Sequence, residues 1–251
     1  MSGHSKWSTI KHKKAATDAR RGQIFTKIAR EIIVAARDGA DPETNFRLRL
    51  AIQTGKSANM PNDNIDRAIA KGSGTGDDAA ELEEITYEGY GPGGTAILVD
   101  AVTDNRNRTA AEIRLAFSRG GGNLAETGAV GWQFELKGVI AVDATEQDAD
   151  EIQLAAIEAG ADDVDESGDG STVEVITDPG ATEQVRQALT EAGFTVESAD
   201  VSKMPQNTVA LDEKAALTTL SMLEKLDDLD DVSKVYSNAE FPDSVFEAAA
   251  D

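Results

Sequence analysis

The chain has 251 residues, 40% of them hydrophobic and 28% charged, with no cysteine; this is material for two or three small domains and excludes disulfides, thiol nucleophiles and cysteine-based metal sites. No apolar run approaches the roughly 18 residues that a membrane helix needs, and the first residues carry no export pattern, so a cytoplasmic protein without a membrane partner is expected. The net charge of −22 is held unevenly: residues 1–71 carry 14 Lys and Arg against 7 Asp and Glu, leaving 10 against 39 in residues 72–251. A basic head on an acidic body repels polyanions everywhere except at the head.

Apolar residues recur at helical spacing through residues 17–38, at Ile24, Phe25, Ile28, Ile32 and Ala35. Gly39 ends that stretch, Asp41-Pro42 opens a second with Phe46, Leu50 and Ile52, and a third follows Pro61 with Ile65 and Ile69. The tract 72–78, rich in Gly, Ser and Thr, reads as a flexible linker that permits the head to move relative to the body. Beyond it, short β-rich runs alternate with helices: a strand at 95–103, a helix at 108–119 and a strand at 130–136. Next comes a β-α-β-β-α-β series from 139 to 201, with a hairpin turning at 167–170, and finally a strand at 208–211, a helix at 213–226 and a strand at 232–237. The expected fold is α+β, a three-helix domain followed by two ferredoxin-like α/β domains, one inserted in the other. Its boundaries are 1–76 for the basic helical domain and linker, 77–136 plus 206–251 for the split domain, and 137–205 for the insert.

Enzymatic motifs fail in their context. Gly89-Tyr90-Gly91-Pro92-Gly93-Gly94 satisfies G-x-G-x-x-G but precedes a strand, with no helix N-terminus to receive a phosphate. Gly55-Lys56-Ser57 imitates a P-loop whose first glycine would have to be Leu50. Asp227, Asp228, Asp230 and Asp231 lack the spacing and glycine of an EF-hand loop and read as a solvated turn. With only His4 and His12, both among lysines, no catalytic triad can be assembled. Neither catalytic residues nor a metal site, a cofactor or a small-molecule substrate is expected.

Positive charge is the remaining signal. Lys6, Lys11, Lys13, Lys14, Arg20, Arg21, Lys27 and Arg30 place eight cations in thirty residues, accompanied by Trp7 and His12. Such a segment contacts phosphates through Lys and Arg and gains order on binding; Trp7 either stacks on a base or anchors the head's core. In Thr103-Asp104-Asn105-Arg106-Asn107-Arg108-Thr109, Arg106 and Arg108 stand at a helix start. There they either favour an anion beside free backbone N–H groups or pair with acidic neighbours while Asn or Thr caps the helix. The nucleic-acid-binding candidates are therefore Lys6, Trp7, Lys11, His12, Lys13, Lys14, Arg20, Arg21, Lys27, Arg30, Arg106 and Arg108.

Several blocks resemble the YebC/PmpR family: the opening Met1-Ser2-Gly3-His4-Ser5-Lys6-Trp7, Ile10-Lys11-His12-Lys13-Lys14-Ala15-Ala16, Arg21-Gly22-Gln23-Ile24-Phe25-Thr26-Lys27, Ala58-Asn59-Met60-Pro61, the tyrosine–glycine stretch 87–94 and the block 103–109. One departure is Phe46, where the family pattern has proline after Asn45. The resemblance implies a three-domain, cytoplasmic, non-enzymatic protein. Bacterial members are commonly assigned as DNA-binding transcriptional regulators, mitochondrial relatives as translational activators, and some bacterial members as factors that relieve ribosomes stalled on proline-rich nascent chains. The partner expected from it is nucleic acid, either DNA or ribosomal RNA in the ribosome.

Overall fold

The computed structural model describes residues 18–74, 82–167, 170–242 and 245, with the side chains of 18–21 outside that description. Its first three helices are α1 (Asp18–Ala35), α2 (Phe46–Ser57) and α3 (Asn62–Gly72). β1 (Glu83–Tyr90), β2 (Ala96–Thr103), α4 (Arg106–Arg119) and β3 (Asn123–Leu124) follow. Then come β4 (Phe134–Asp143), α5 (Ala149–Ala159), β5 (Asp163–Glu166), β6 (Thr172–Thr177), α6 (Thr182–Glu191) and β7 (Val196–Pro205). The last are β8 (Val209–Ala210), α7 (Glu213–Asp227), β9 (Val232–Ser237) and β10 (Ala239–Glu240). Among the described residues, 133–206 form one compact unit and 18–132 with 207–245 form another.

The helical head forms because the apolar stripe of α1 has somewhere to go. Ile28, Ile32, Ile33 and Ala36 bury themselves with Leu48 and Ala51 of α2 and Ile65 and Ala68 of α3. Asn45 fixes the turn between α1 and α2: its carbonyl accepts from the Leu48 N–H at 3.0 Å, and its amide donates to the carbonyls of Ala35 (2.7 Å) and Gly39 (2.8 Å). Phe46 therefore occupies the first helical position, where proline would also fit, and its ring lies 5.4 Å from the Arg49 guanidinium. Gly72 ends α3 against the Ile33 carbonyl, at an approach a Cβ would block. Leu82 and Val102, which lie outside the helices, complete this same core. Of the 72–78 tract, residues 75–78 lie outside the described residues, Gly72 closes α3, and Val102 of β2 sits in the head's core.

In the split part, β1, β2, β3 and β9 form an antiparallel sheet in the order β3-β1-β2-β9. α4 contributes Ile113, Ala116 and Phe117 and α7 contributes Leu220, Met222, Leu223 and Leu226 to the core shared with Ile97, Val99 and Val235 of the sheet. The strand expected at 130–136 does not exist as a unit. Val130 is buried in a turn, Gly131–Gln133 is a 3₁₀ turn, and β4 starts only at Phe134 and pairs with β7. The reason is that the Val130 and Gly131 N–H groups donate to a buried carboxylate, that of Glu88, and are lost to any ladder. β1, absent from the expected elements, pairs with β2 instead. β8 also leaves the main sheet and pairs in parallel with β10. The Gly-rich segment is a hairpin joining β1 to β2, with Gly93 and Gly94 at φ 71° and 80°.

In the unit 133–206, β4-α5-β5-β6-α6-β7 give an antiparallel sheet in the order β5-β6-β4-β7, the ferredoxin arrangement. Ile140, Val142, Val173 and Val175 pack beneath Ile152 and Ala156 of α5 and Val185 and Leu189 of α6. In the hairpin between β5 and β6, Ser167 accepts from the Thr172 N–H at 2.9 Å, and Gly168-Asp169 lie outside the described residues. The protein is thus α+β throughout.

Candidate nucleic-acid interface

The most heavily used polar group between the head and the sheet is Asp231, 3% exposed and placed just before β9. Its Oδ2 accepts from Thr109 Oγ1 at 2.7 Å, Thr103 Oγ1 at 3.1 Å and Arg108 Nη2 at 2.7 Å, while Oδ1 pairs with Arg30 Nη1 at 2.9 Å. Burial pushes the Asp231 carboxyl up; the hydrogen bonds from Thr109 and Arg108, the charge of Arg30 and the bond from Thr103 together outweigh it and hold the group below the usual carboxylate range. The same contacts hold the Arg108 guanidinium well above its ordinary value, with Asp104 a second partner at 2.8 Å.

The loop ahead of Asp231 takes up further groups of α1. Lys27 donates to the Asp227 carbonyl, Arg30 to the Asp230 carbonyl, and the Gln23 amide to the Asp230 carboxylate at 3.3 Å. This corrects the reading of Asp227 to Asp231 as a solvated turn. Asp228 and Asp230 are exposed, but the turn docks the basic face of α1 and carries a buried carboxylate. The partners of Asp231 lie 122 and 128 residues away at Thr109 and Thr103, a separation that no local pattern reveals.

The block 103–109 is divided between two environments. Asn105 caps α4 by accepting from the Arg108 N–H at 3.1 Å. Arg108 turns inward to Asp231, whereas Arg106 has 67% of its side chain exposed and meets Glu83 at 3.5 Å. Lys27 and Arg30 face the acidic loop. Arg20 and Arg21 lie in α1 with side chains outside the described set, and Lys6, Trp7, Lys11, His12, Lys13 and Lys14 lie outside the described residues altogether. The structure also exposes Arg37 and Lys56 on the head, cations that form no dense cluster because each is isolated along the chain.

A second buried carboxylate shapes the opposite end of β1. Glu88, 6% exposed, accepts from the N–H groups of Gly128, Val130 and Gly131, each at 2.7 Å. Tyr90 Oη donates to the Ala129 carbonyl at 3.1 Å, and the Trp132 indole N–H donates to the same carbonyl at 3.2 Å. Trp132 is 69% exposed at the end of this braced loop. Glu88→Gln places an NH₂ group against N–H donors and should cost about 1–3 kcal/mol. At about 2–4 °C per kcal/mol for a chain of this size, the melting temperature should fall by several degrees. A melting curve superimposable on the parent's would show that the amide satisfies the loop equally well.

Sequence comparison adds the ancestry. A model of the TACO1/YebC N-terminal domain matches residues 5–75, and a model of the TACO1/YebC second and third domain matches residues 82–239. The chain belongs to the TACO1/YebC family. It is 54% identical over 248 residues to a protein of Dehalococcoides mccartyi, covering 98% of both chains, and 54% identical over 250 residues to one of Moorella thermoacetica, again covering 98% of both. A relative from Desulfitobacterium hafniense is 53% identical over the full length of each chain. All three are called probable transcriptional regulatory proteins. A crystal structure of a conserved hypothetical protein from Aquifex aeolicus superimposes with a TM-score of 0.84 at 46% identity, covering 93% of this chain and 96% of that one. Among the described residues of this family member, no helix is long and apolar enough to cross a membrane.

Proposed function

We propose that this protein is a non-enzymatic, cytoplasmic regulator of gene expression that binds nucleic acid through its basic head, and that its target is promoter DNA. The observation that carries this reading is the segregation of charge: +7 in residues 1–71 against −29 in the remainder. An acidic body forbids non-specific coating of a polyanion and leaves a single end to engage it. The names of its relatives as probable transcriptional regulatory proteins favour DNA as the target. In this reading Lys6, Trp7, Lys11, His12, Lys13, Lys14, Arg20 and Arg21 form the contact arm, and Arg106 adds an exposed cation. Lys27, Arg30 and Arg108 act as positioning residues, holding α1 and the start of α4 on the 227–231 loop. The three buried cores motivate a three-part division, 1–76, 77–136 plus 206–251, and 137–205.

A specific observation favours a second reading, an RNA- or ribosome-binding translation factor: the cations lie in one short segment, and a basic arm on an acidic body suits a structured RNA. One culture separates the two. Chromatin immunoprecipitation should enrich a small set of promoters in an RNase-insensitive manner, with the protein remaining at the top of a low-salt sucrose gradient. Co-sedimentation with ribosomes that is lost at high salt, without promoter enrichment, would overturn the DNA assignment and support the ribosomal one.

A further inference from the structure

The unit formed by residues 133–206 carries 18 Asp and Glu against three Lys and Arg. Its helix α5 buries Ile152 and Ala156 against the sheet and turns Leu154 and Ile157 outward, 60% and 61% exposed. Three residues apart, the two side chains are neighbours on one face. Asp150, Glu151 and Glu158, all exposed, lie within four residues of Leu154 on either side along the helix. Single exposed aliphatic residues are ordinary, but an adjacent pair whose charged neighbours along the helix are all acidic has the composition of a small recognition surface, an apolar centre within a charged border.

The charge selects the occupant. A nucleic acid or an anionic lipid surface is repelled by a unit with a net charge of −15. A second copy of the same face would oppose acids to acids. We propose that the outer face of α5 docks a basic protein, one whose Lys and Arg side chains border an apolar groove that receives Leu154 and Ile157. Two aliphatic side chains bury little area, so the association is transient and depends on salt. The proposal does not require the nucleic-acid reading.

The test uses the full chain in cells, with a photo-crosslinking phenylalanine derivative incorporated at Gln153 beside the pair. Irradiation should yield one crosslinked protein whose mapped segment is rich in Lys and Arg and contains apolar residues. The charge-neutral double variant L154Q/I157Q, altered only at exposed positions and therefore of parental stability, should reduce that yield about tenfold. In the purified complex, raising the salt from about 0.05 M to about 0.5 M should reduce it comparably. Crosslinks to nucleic acid, to a second copy, to the protein's own basic head or to an acidic segment would overturn the proposal. A yield unchanged by L154Q/I157Q, or no crosslinked product, would overturn it as well.

Discussion

Asp231→Ala is expected to lower the melting temperature by about 5–10 °C. Removing one member of a buried ion pair typically costs about 3–5 kcal/mol, because the partner stays behind without compensation. Here the cost is reduced to about 2–3 kcal/mol, since the Arg30 and Arg108 side chains keep 20% and 43% of their surface exposed and recover water when the carboxylate is gone. At about 2–4 °C per kcal/mol the shift follows. The hydroxyls of Thr103 and Thr109, both buried, keep each other, with 2.8 Å between their oxygens; Thr109 also donates to the Asn105 carbonyl at 3.1 Å, and Thr103 accepts from the Asn105 N–H at 2.9 Å. Asp228→Ala, at an exposed position in the same turn, should leave the melting temperature within about 1 °C. The effect should also depend on pH with a definite sign. The folded-state pKa of Asp231 is depressed, so its stabilising contribution is complete above the unfolded value of about 3.9 and is lost as the pH falls through the folded value. Urea denaturation should therefore separate parent and Asp231→Ala fully at neutral pH and progressively less below about pH 4. A difference that persists undiminished in acid would assign the role of Asp231 to shape instead of charge.

Replacing Lys11, Lys13 and Lys14 together by Glu should reduce nucleic-acid affinity by about a hundredfold or more at ~0.1 M salt and leave the melting temperature within about 1 °C of the parent. The basis is electrostatic. Each Lys that neutralises a phosphate releases condensed cations, contributing about 0.9 to the logarithmic salt slope on duplex DNA and about 0.7 on single strands. Losing three contacts should flatten the slope by about 2 to 3, and the reversed charges add repulsion beyond the loss. The change should be uniform across sequences, as expected of phosphate contacts that position without reading bases. Parental affinity in the triple variant would move the contact surface away from the arm. The comparison is informative because Lys27 and Arg30, in the same basic segment, already face the 227–231 loop. Their substitution should lower stability and affinity together, whereas the arm variant should lower affinity alone.

Local patterns in the sequence are enough to place α1, α2 and α3, because a 3.6-residue apolar period and breakers such as Gly39 and Pro61 act within a few positions of themselves. They also yield the β-α-β-β-α-β series, expected at 139–201 and observed at 134–205, whose turns are marked by Gly, Asp and Pro. The charge segregation on which the functional reading rests is a property of composition and needs no coordinates. The strand β1 escaped that reading because two acids open it and glycines close it, so its alternation is weak until it is paired with β2. For the same reason a strand was expected at 130–136, where the apolar residues suit one, yet Glu88, 42 residues away from Val130, takes the backbone donors a strand would need. Whether an acid is solvated or buried, as between Asp230 and Asp231, and whether an arginine faces outward or inward, as between Arg106 and Arg108, was decided only by tertiary packing. Desolvation and ion pairing depend on groups brought together from as far as 201 residues apart, as Arg30 and Asp231 are, and no window along the chain contains both.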